Sequence, residues 1–219
     1  MSIWEKIRPE LRAVQLIPAV HESLRKELKL PDHVHSVGLL TCDADDVAYI
    51  AADEATKQAQ VDVYVGNSLY AGADHSSSPT AGEVIIALGG STPSEVQAGL
   101  GCMMDIINEA SVAFTYADNN REVAFLAHTV SSSGSYLSSM AGVSRGQPLA
   151  YLIAPPIEAL VGLDAALKAA EVSMALYVPP PSETNYAGAL LAGDEASCRA
   201  ACEAFANAVI AVANNPVEL

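Results

Sequence analysis

The feature that most constrains this chain is that it repeats itself. Shifted by 111 residues without a gap, residues 37–63 overlie 148–174, and ADEATKQAQV at 52–61 meets LDAALKAAEV at 163–172 with Asp, Ala, Lys, Ala and Val in register. Shortening the offset to 106 aligns AGEVIIA at 81–87 with AGALLAG at 187–193, and upstream LIPAV at 16–20 meets LAHTV at 126–130. Self-similarity on this scale means that one supersecondary plan is written twice. Two domains are therefore expected, 1–110 and 111–219. A fused duplicate is also what remains when a small ring-forming protein doubles, so assembly belongs to the expectation.

Each copy reads as strand, intervening segment, strand, helix, strand, loop, strand, helix. In copy one, 36–41 is a short apolar run, 47–60 is helical by its apolar spacing, and 61–65 alternates like a strand. The segment 82–88 is another apolar strand, and Thr92-Pro93-Ser94-Glu95 opens a helix with Thr at the N-cap, Pro at N1 and Glu at N3. Copy two follows with strands at 149–153, 173–177 and 188–191, a helix running to 170 and another from Asp194. Helices alternating with short strands in units of about a hundred residues predict an α+β sandwich, a small antiparallel or mixed sheet with helices packed on one face.

Half the chain is apolar (51%) but only 5% is aromatic, which suits helices packed closely on sheets more than an aromatic ligand cleft. Lys plus Arg total 11 against 26 Asp plus Glu, a net charge of −15. That field repels phosphate, so neither nucleic acid nor an anionic membrane is an expected partner, whereas small cations are attracted. The N-terminal stretch carries charges through its apolar residues and no run of eighteen apolar residues follows, so the chain is expected to be soluble and intracellular. Cys42, Cys102, Cys198 and Cys202 form no CxxC set; Cys198 and Cys202, at helical spacing, read as small buried thiols.

Beyond periodicity, the chain carries distinctive strings, several of them in loops: KIRP at 6–9, ELKLP at 27–31, DDV at 45–47, YIAADEATKQ at 49–58, SLYAG at 68–72, PTAGEV at 79–84, GSYLS at 134–138, AYLIAPP at 150–156 and PPPSETN at 179–185. On these strings it resembles, over nearly its whole length, the tandem-domain, circularly permuted bacterial microcompartment shell proteins. The resemblance implies a homotrimer of pseudo-sixfold outline, tiling with other shell proteins around an enzyme compartment in the cytoplasm, of the ethanolamine-utilisation kind. It also implies a gated central pore and small pores within each subunit.

The two copies differ where chemistry is expected. Asp43, Asp45 and Asp46 precede a helix, where acids complement the positive end of the helix dipole. Copy two opens the same helix with Pro155 and Pro156, so the fold does not require three acids. Glu83 lies among Ala, Gly, Val and Ile where copy two has Ala189. Brought together, Asp45, Asp46 and Glu83 would make an electronegative pocket for a small ammonium-bearing molecule, with Phe114 or Tyr70 adding a cation–π face. The resemblance supplies a ligand, ethanolamine, held in a small pore by acids at these positions and an aromatic near Phe114.

Copy two has its own departure. TVSSSGSYLSS at 129–139 is rich in hydroxyls and reads as a flexible surface loop, whereas its counterpart at 21–30 reads as helical. The resemblance implies that Ser131, Ser132, Ser133, Gly134, Ser135 and Tyr136 line the central pore as a mobile gate.

Catalytic constellations are missing from the sequence. Ser135 lacks a G-x-S-x-G setting, Gly89-Gly90 lacks the lysine of a phosphate loop, and His21, His33, His35, His75 and His128 form no i, i+4 pair. The chain is expected to be no enzyme and to use no cofactor or metal. Lys57 and Lys168, at equivalent points of the two copies, are candidate tiling contacts. The residues leave open a soluble amino-alcohol-binding or regulatory protein, or the same tile in a compartment serving another substrate.

Overall fold

A computed structural model describes residues 5–69 and 81–217. In copy one the order is β1 (Leu11–Ile17), α1 (Glu22–Glu27), β2 (Ser36–Cys42), α2 (Asp45–Gln58), β3 (Val61–Ser68), β4 (Val84–Gly90) and α3 (Pro93–Glu109). Copy two begins with a short strand, β5 (Thr115–Tyr116). It then repeats the order as β6 (Ala124–Val130), α4 (Ser135–Ala141), β7 (Leu149–Ala154), α5 (Pro156–Ala169), β8 (Ser173–Val178), β9 (Ala187–Ala192) and α6 (Glu195–Asn214). The sheets run β1-β2-β4-β3 and β5-β6-β7-β9-β8, with every neighbour antiparallel. The architecture is α+β, as the repeat predicts.

The chain divides into two compact units that trade segments. The first holds Arg8–Val112 together with Gly134–Leu137; the second holds Ala113–Ser133, Ser138–Leu219 and the N-terminal segment through Ile7. In the second unit that N-terminal segment lies along β5: Lys6 bridges Thr115, the Ile7 N–H donates to the Phe114 carbonyl at 2.8 Å, and the Tyr116 N–H donates to Glu5 at 3.1 Å.

In the first unit, strand alternation sorts the side chains into two layers. Gly38 of β2 faces Val96 and Leu100 of α3, while Val37 and Ala87 point the other way and are covered by Leu30 and Val34 from the connection after α1. Helix α3 buries Val96, Leu100, Met103 and Ile107, one stripe at helical spacing, each burial contributing about 1.5–3 kcal/mol. It opens on the predicted capping box, with the Glu95 N–H donating to Thr92 Oγ1 and Glu95 Oε2 accepting from the Thr92 N–H.

In the second unit, Ala150, Leu152 and Ala154 of β7 and Leu191 of β9 pack under α5 and α6. Gly162 lets those helices approach closely, because a Cβ there would lie 2.7 Å from the Phe205 ring of α6. Helix α6 is long and apolar enough to cross a bilayer, with a mean hydropathy of 1.3, but its apolar stripe of Cys198, Ala201, Cys202, Phe205 and Val209 is already packed into this core. Cys42, Cys198 and Cys202 are buried and free, whereas Cys102 is half-buried.

Two expectations are corrected. Leu40 pairs with Ile86 and Tyr151 with Leu190, so the sheet register superposes Ile86 on Leu190, two residues away from the 106 offset. The counterpart of Glu83 is then Ala187 and not Ala189, and copy two still has no acid there. The serine-rich stretch is also not a flexible loop: β6 runs through Val130, α4 begins at Ser135, and Ser133, Gly134 and Ser138 are buried. Composition favours a loop because hydroxyls compete for backbone groups, but here α2 supplies the partners that fix the helix start. Tyr70 and His75 lie outside the described residues.

Candidate functional site

Strand β2 ends at Cys42 and α2 starts three residues later at Asp45, with Ala44 at the N-cap, whose methyl group makes no capping bond. Asp45 and Asp46 occupy the first turn, where the helix dipole favours them, yet each is only 7% exposed, and a buried carboxylate must find donors. Asp45 Oδ2 accepts from Ser68 Oγ at 2.6 Å and Oδ1 from the Asp46 N–H at 2.8 Å. The Ser68 hydroxyl, having donated to Asp45, accepts from the Tyr49 hydroxyl at 2.7 Å. Burial pushes the Asp45 carboxyl above its ordinary range against the pull of these bonds.

Glu83 reaches the same corner through the backbone. Its N–H donates to the Cys42 carbonyl and its own carbonyl accepts from the Leu69 N–H, both at 2.7 Å, while Thr41 Oγ1 ties down Ala81 at 2.6 Å. The Cys42 thiol registers the result: burial above all, with the charges of Asp43, Asp45 and Glu83 adding, pushes it up to about 12. Asp43 has a different role, since its Oδ1 accepts from the Glu10 N–H at 2.6 Å and Arg12 stands 3.6 Å from Oδ2, joining the start of β1 to the end of β2. Phe114 belongs to the second unit, where its ring meets Tyr186 edge-on at 5.7 Å. Ser68 and Tyr49, which hold Asp45, were missed in the sequence, although both stand inside strings that carry the resemblance.

The serine-rich segment is held by a second acid that sequence reasoning also passed over. Asp53, fully buried on α2, accepts from the Gly134 N–H at 2.7 Å and the Leu137 N–H at 2.8 Å; the Ser135 N–H donates to Thr56 Oγ1 at 3.0 Å. Ser135 Oγ donates to Asp62 at 3.1 Å, and the Tyr136 ring lies 6.0 Å from that of Tyr49. A Cβ on Gly134 would stand 2.5 Å from the Asp53 carbonyl oxygen, so the approach requires glycine. Burial pushes Asp53 above the ordinary carboxylate range, with the two N–H donors and Lys57 opposing it. Ser131 and Ser132 are exposed, and Tyr136 is mostly covered.

The paired lysines have parted ways. Lys168 is exposed and bonds Asp164 at 2.5 Å, whereas Lys57 is largely covered and bound to Glu54 and Asp53. Among the described residues no group of three His, Cys, Asp or Glu is arranged to hold a metal ion. A groove of about 370 Å³ between β1 and α3, lined by Val14, Leu16, Leu100, Gly101 and Met104 with Gln15 and Gln97, carries no charge and is separate from the acids.

No family model matches the chain. It is 56% identical over 218 residues to the bacterial microcompartment shell protein EutL of Escherichia coli strain K12, covering 100% of this chain and 99% of that protein. The crystal structure of the ethanolamine utilization protein EutL from Leptotrichia buccalis matches with a TM-score of 0.97 at 49% identity, covering 99% of both chains. A trimeric bacterial microcompartment shell protein, PduB, shares the fold at 19% identity with a TM-score of 0.72, over 94% of this chain and 89% of that one. Identity of about half or more over nearly the whole of each chain and the duplicated antiparallel sheets agree: the chain belongs to the EutL family of bacterial microcompartment shell proteins, structural components of the shell.

Proposed function

We propose that this chain tiles an ethanolamine-utilisation shell as a homotrimer beside other shell proteins, and that Asp45, Asp46 and Glu83 bind the ammonium group of ethanolamine within a small pore of each subunit. The observation that carries the binding half is a pair of nearly buried carboxylates whose copy-two counterparts are Pro156 and Ile157. The duplicated frame folds without acids at these positions, so the fold does not demand them, and a small cation is the partner the net charge of −15 attracts. Ser131, Ser132, Ser133, Gly134, Ser135 and Tyr136 form the central-pore segment, with the exposed hydroxyls of Ser131 and Ser132 meeting the permeant. The trimeric state of PduB supports the assembly, as does the ring-forming logic of a fused duplicate.

Titrating ethanolamine calorimetrically into the wild type and into Asp46→Asn tests the pocket. A loss of affinity of about tenfold or more is expected for the variant; indistinguishable isotherms would remove the acids from the site. Light scattering tests the tile, with an expected mass three times the 22.8 kDa of the chain.

A further inference from the structure

The two copies part in more than their acids. Tyr49 and Ser68, which reach Asp45 through a run of hydroxyl bonds, also have counterparts in copy two. The 111-residue shift carries Tyr49 to Leu160. Gly66 pairs with Ile86 as Leu176 pairs with Leu190, so the ladder superposes Ser68, two residues further on, upon Val178. Asp45, Tyr49 and Ser68 therefore stand where copy two has Pro156, Leu160 and Val178, three residues without a polar side-chain atom. Helix α5 and strand β8 form all the same, so the fold does not demand a hydrogen-bonded tie between helix and strand at this place.

The donors fix the direction of the run. An ionised carboxylate only accepts, so the one Ser68 hydroxyl proton points at Asp45 Oδ2, and the Tyr49 hydroxyl must donate to the Ser68 oxygen behind it. The titratable groups around Asp45 are Asp46 and Tyr49 on its own helix, Cys42 and Asp43 at the end of β2, and Glu83 ahead of β4, with Tyr136 of α4 beyond Tyr49. Each of these is neutral or negative, Arg12 is engaged by Asp43 and Glu10, and among the described residues no lysine, arginine or histidine pairs with Asp45. Against burial, the Ser68 hydroxyl is the strongest of the groups that favour the charged form of Asp45. A second hydroxyl behind it polarises the first and strengthens that bond.

We infer that Tyr49 and Ser68 are positioning residues for ammonium binding: their hydroxyl run fixes Oδ2 of Asp45 and keeps that carboxylate charged, leaving its remaining lone pairs for the ligand. This role rests on the ethanolamine site proposed above and names what prepares its acid. Copy two lacks all three members together, as a set that serves a ligand and not the frame would be lost.

The test titrates ethanolamine calorimetrically, from mildly acidic to neutral pH, into the full-length wild type, Ser68→Ala, Ser68→Thr and Tyr49→Phe, with far-UV circular dichroism as the control on folding. Ser68→Ala is expected to weaken binding about tenfold at neutral pH. It should also move upward the pH at which affinity falls away, because Asp45 without its donor takes up a proton sooner. Tyr49→Phe keeps the ring against Tyr136 and should move the fall-off the same way by less. Ser68→Thr keeps the donor and should restore both affinity and profile. A tie that only holds α2 to β3 would change affinity by one factor at every pH. An unmoved fall-off in Ser68→Ala and Tyr49→Phe, or a Ser68→Thr that behaves like Ser68→Ala, therefore overturns the positioning role while leaving the acids in the site. A wild type that takes up no ethanolamine overturns the site itself, and this role with it.

Discussion

On α2, the positions Tyr49, Asp53 and Thr56 lie beneath residues 134–137 of the same chain; on α5, the matching positions hold Leu160, Asp164 and Leu167 and face solvent. Both helices keep the central aspartate, and both keep a lysine four residues later. The aspartate does different things because its surroundings differ. Under backbone N–H groups it caps the start of a short helix and has polar neighbours, Tyr49 and Thr56, that bond or pack across the contact. In the open it pairs with its own lysine among leucines. A duplicated residue thus takes its role from what covers it, and the side chains around it have diverged to match.

The largest expected effect breaks the covered side of this comparison. Asp53→Ala strands two buried N–H donors and should cost about 3 kcal/mol or more, read as a fall in the urea midpoint together with lost hydrogen-exchange protection at Gly134 and Leu137. Asp53→Asn keeps one acceptor oxygen and should recover part of that loss. Gly134→Ala comes next: its new methyl group meets the Asp53 backbone, so a cost of about 1–3 kcal/mol is expected, with the same two amides exposed.

A smaller effect separates the buried acids from the exposed ones by pH. Asp43, Asp45 and Asp53 all sit above their ordinary range when folded, with burial the leading cause. Between the unfolded carboxylate value of about 4 and those raised values, the folded chain binds more protons than the unfolded one, so their contribution to stability falls as pH rises through that window. Glu95 and Asp194 act in the opposite sense: hydrogen bonds from Ser91 and Thr92, and from Ser197, hold them below their usual values, and the stability they give is lost as pH drops below the unfolded value. Asp45→Asn should therefore flatten the decline of the urea midpoint from mildly acidic to neutral pH. An equal slope in variant and wild type would show that Asp45 does not carry it.

The repeat made the fold legible, because strand runs, the Thr92 capping box and the Asp194 cap are all encoded within a few neighbouring residues. Register was less so: alanine-rich strands such as AGALLA match themselves at several offsets, and only the ladder pairing of Tyr151 with Leu190 settles which is used. At the site, Asp45, Asp46 and Glu83 stood out since the other copy lacks them. Asp53 did not stand out, since Asp164 matches it, and nothing local distinguishes an aspartate that meets a distant N–H from one that meets water. Ser131 to Tyr136 misled for a related reason, their order being imposed from residues roughly eighty positions away.

The smallest effect sharpens the open side. Asp164 and Lys168 are an exposed i, i+4 pair, with side chains 64% and 74% exposed, and such pairs contribute about 0.3–0.5 kcal/mol. Asp164→Ala should lower the urea midpoint by no more than this, a small fraction of the Asp53→Ala loss. Raising the salt concentration should shrink even that difference, because screening acts on an exposed pair and barely touches a buried carboxylate bonded to N–H groups. A loss comparable to that of Asp53→Ala would mean that Asp164 already holds a buried partner within a single chain, and the contrast between the two helix faces would fail at its centre.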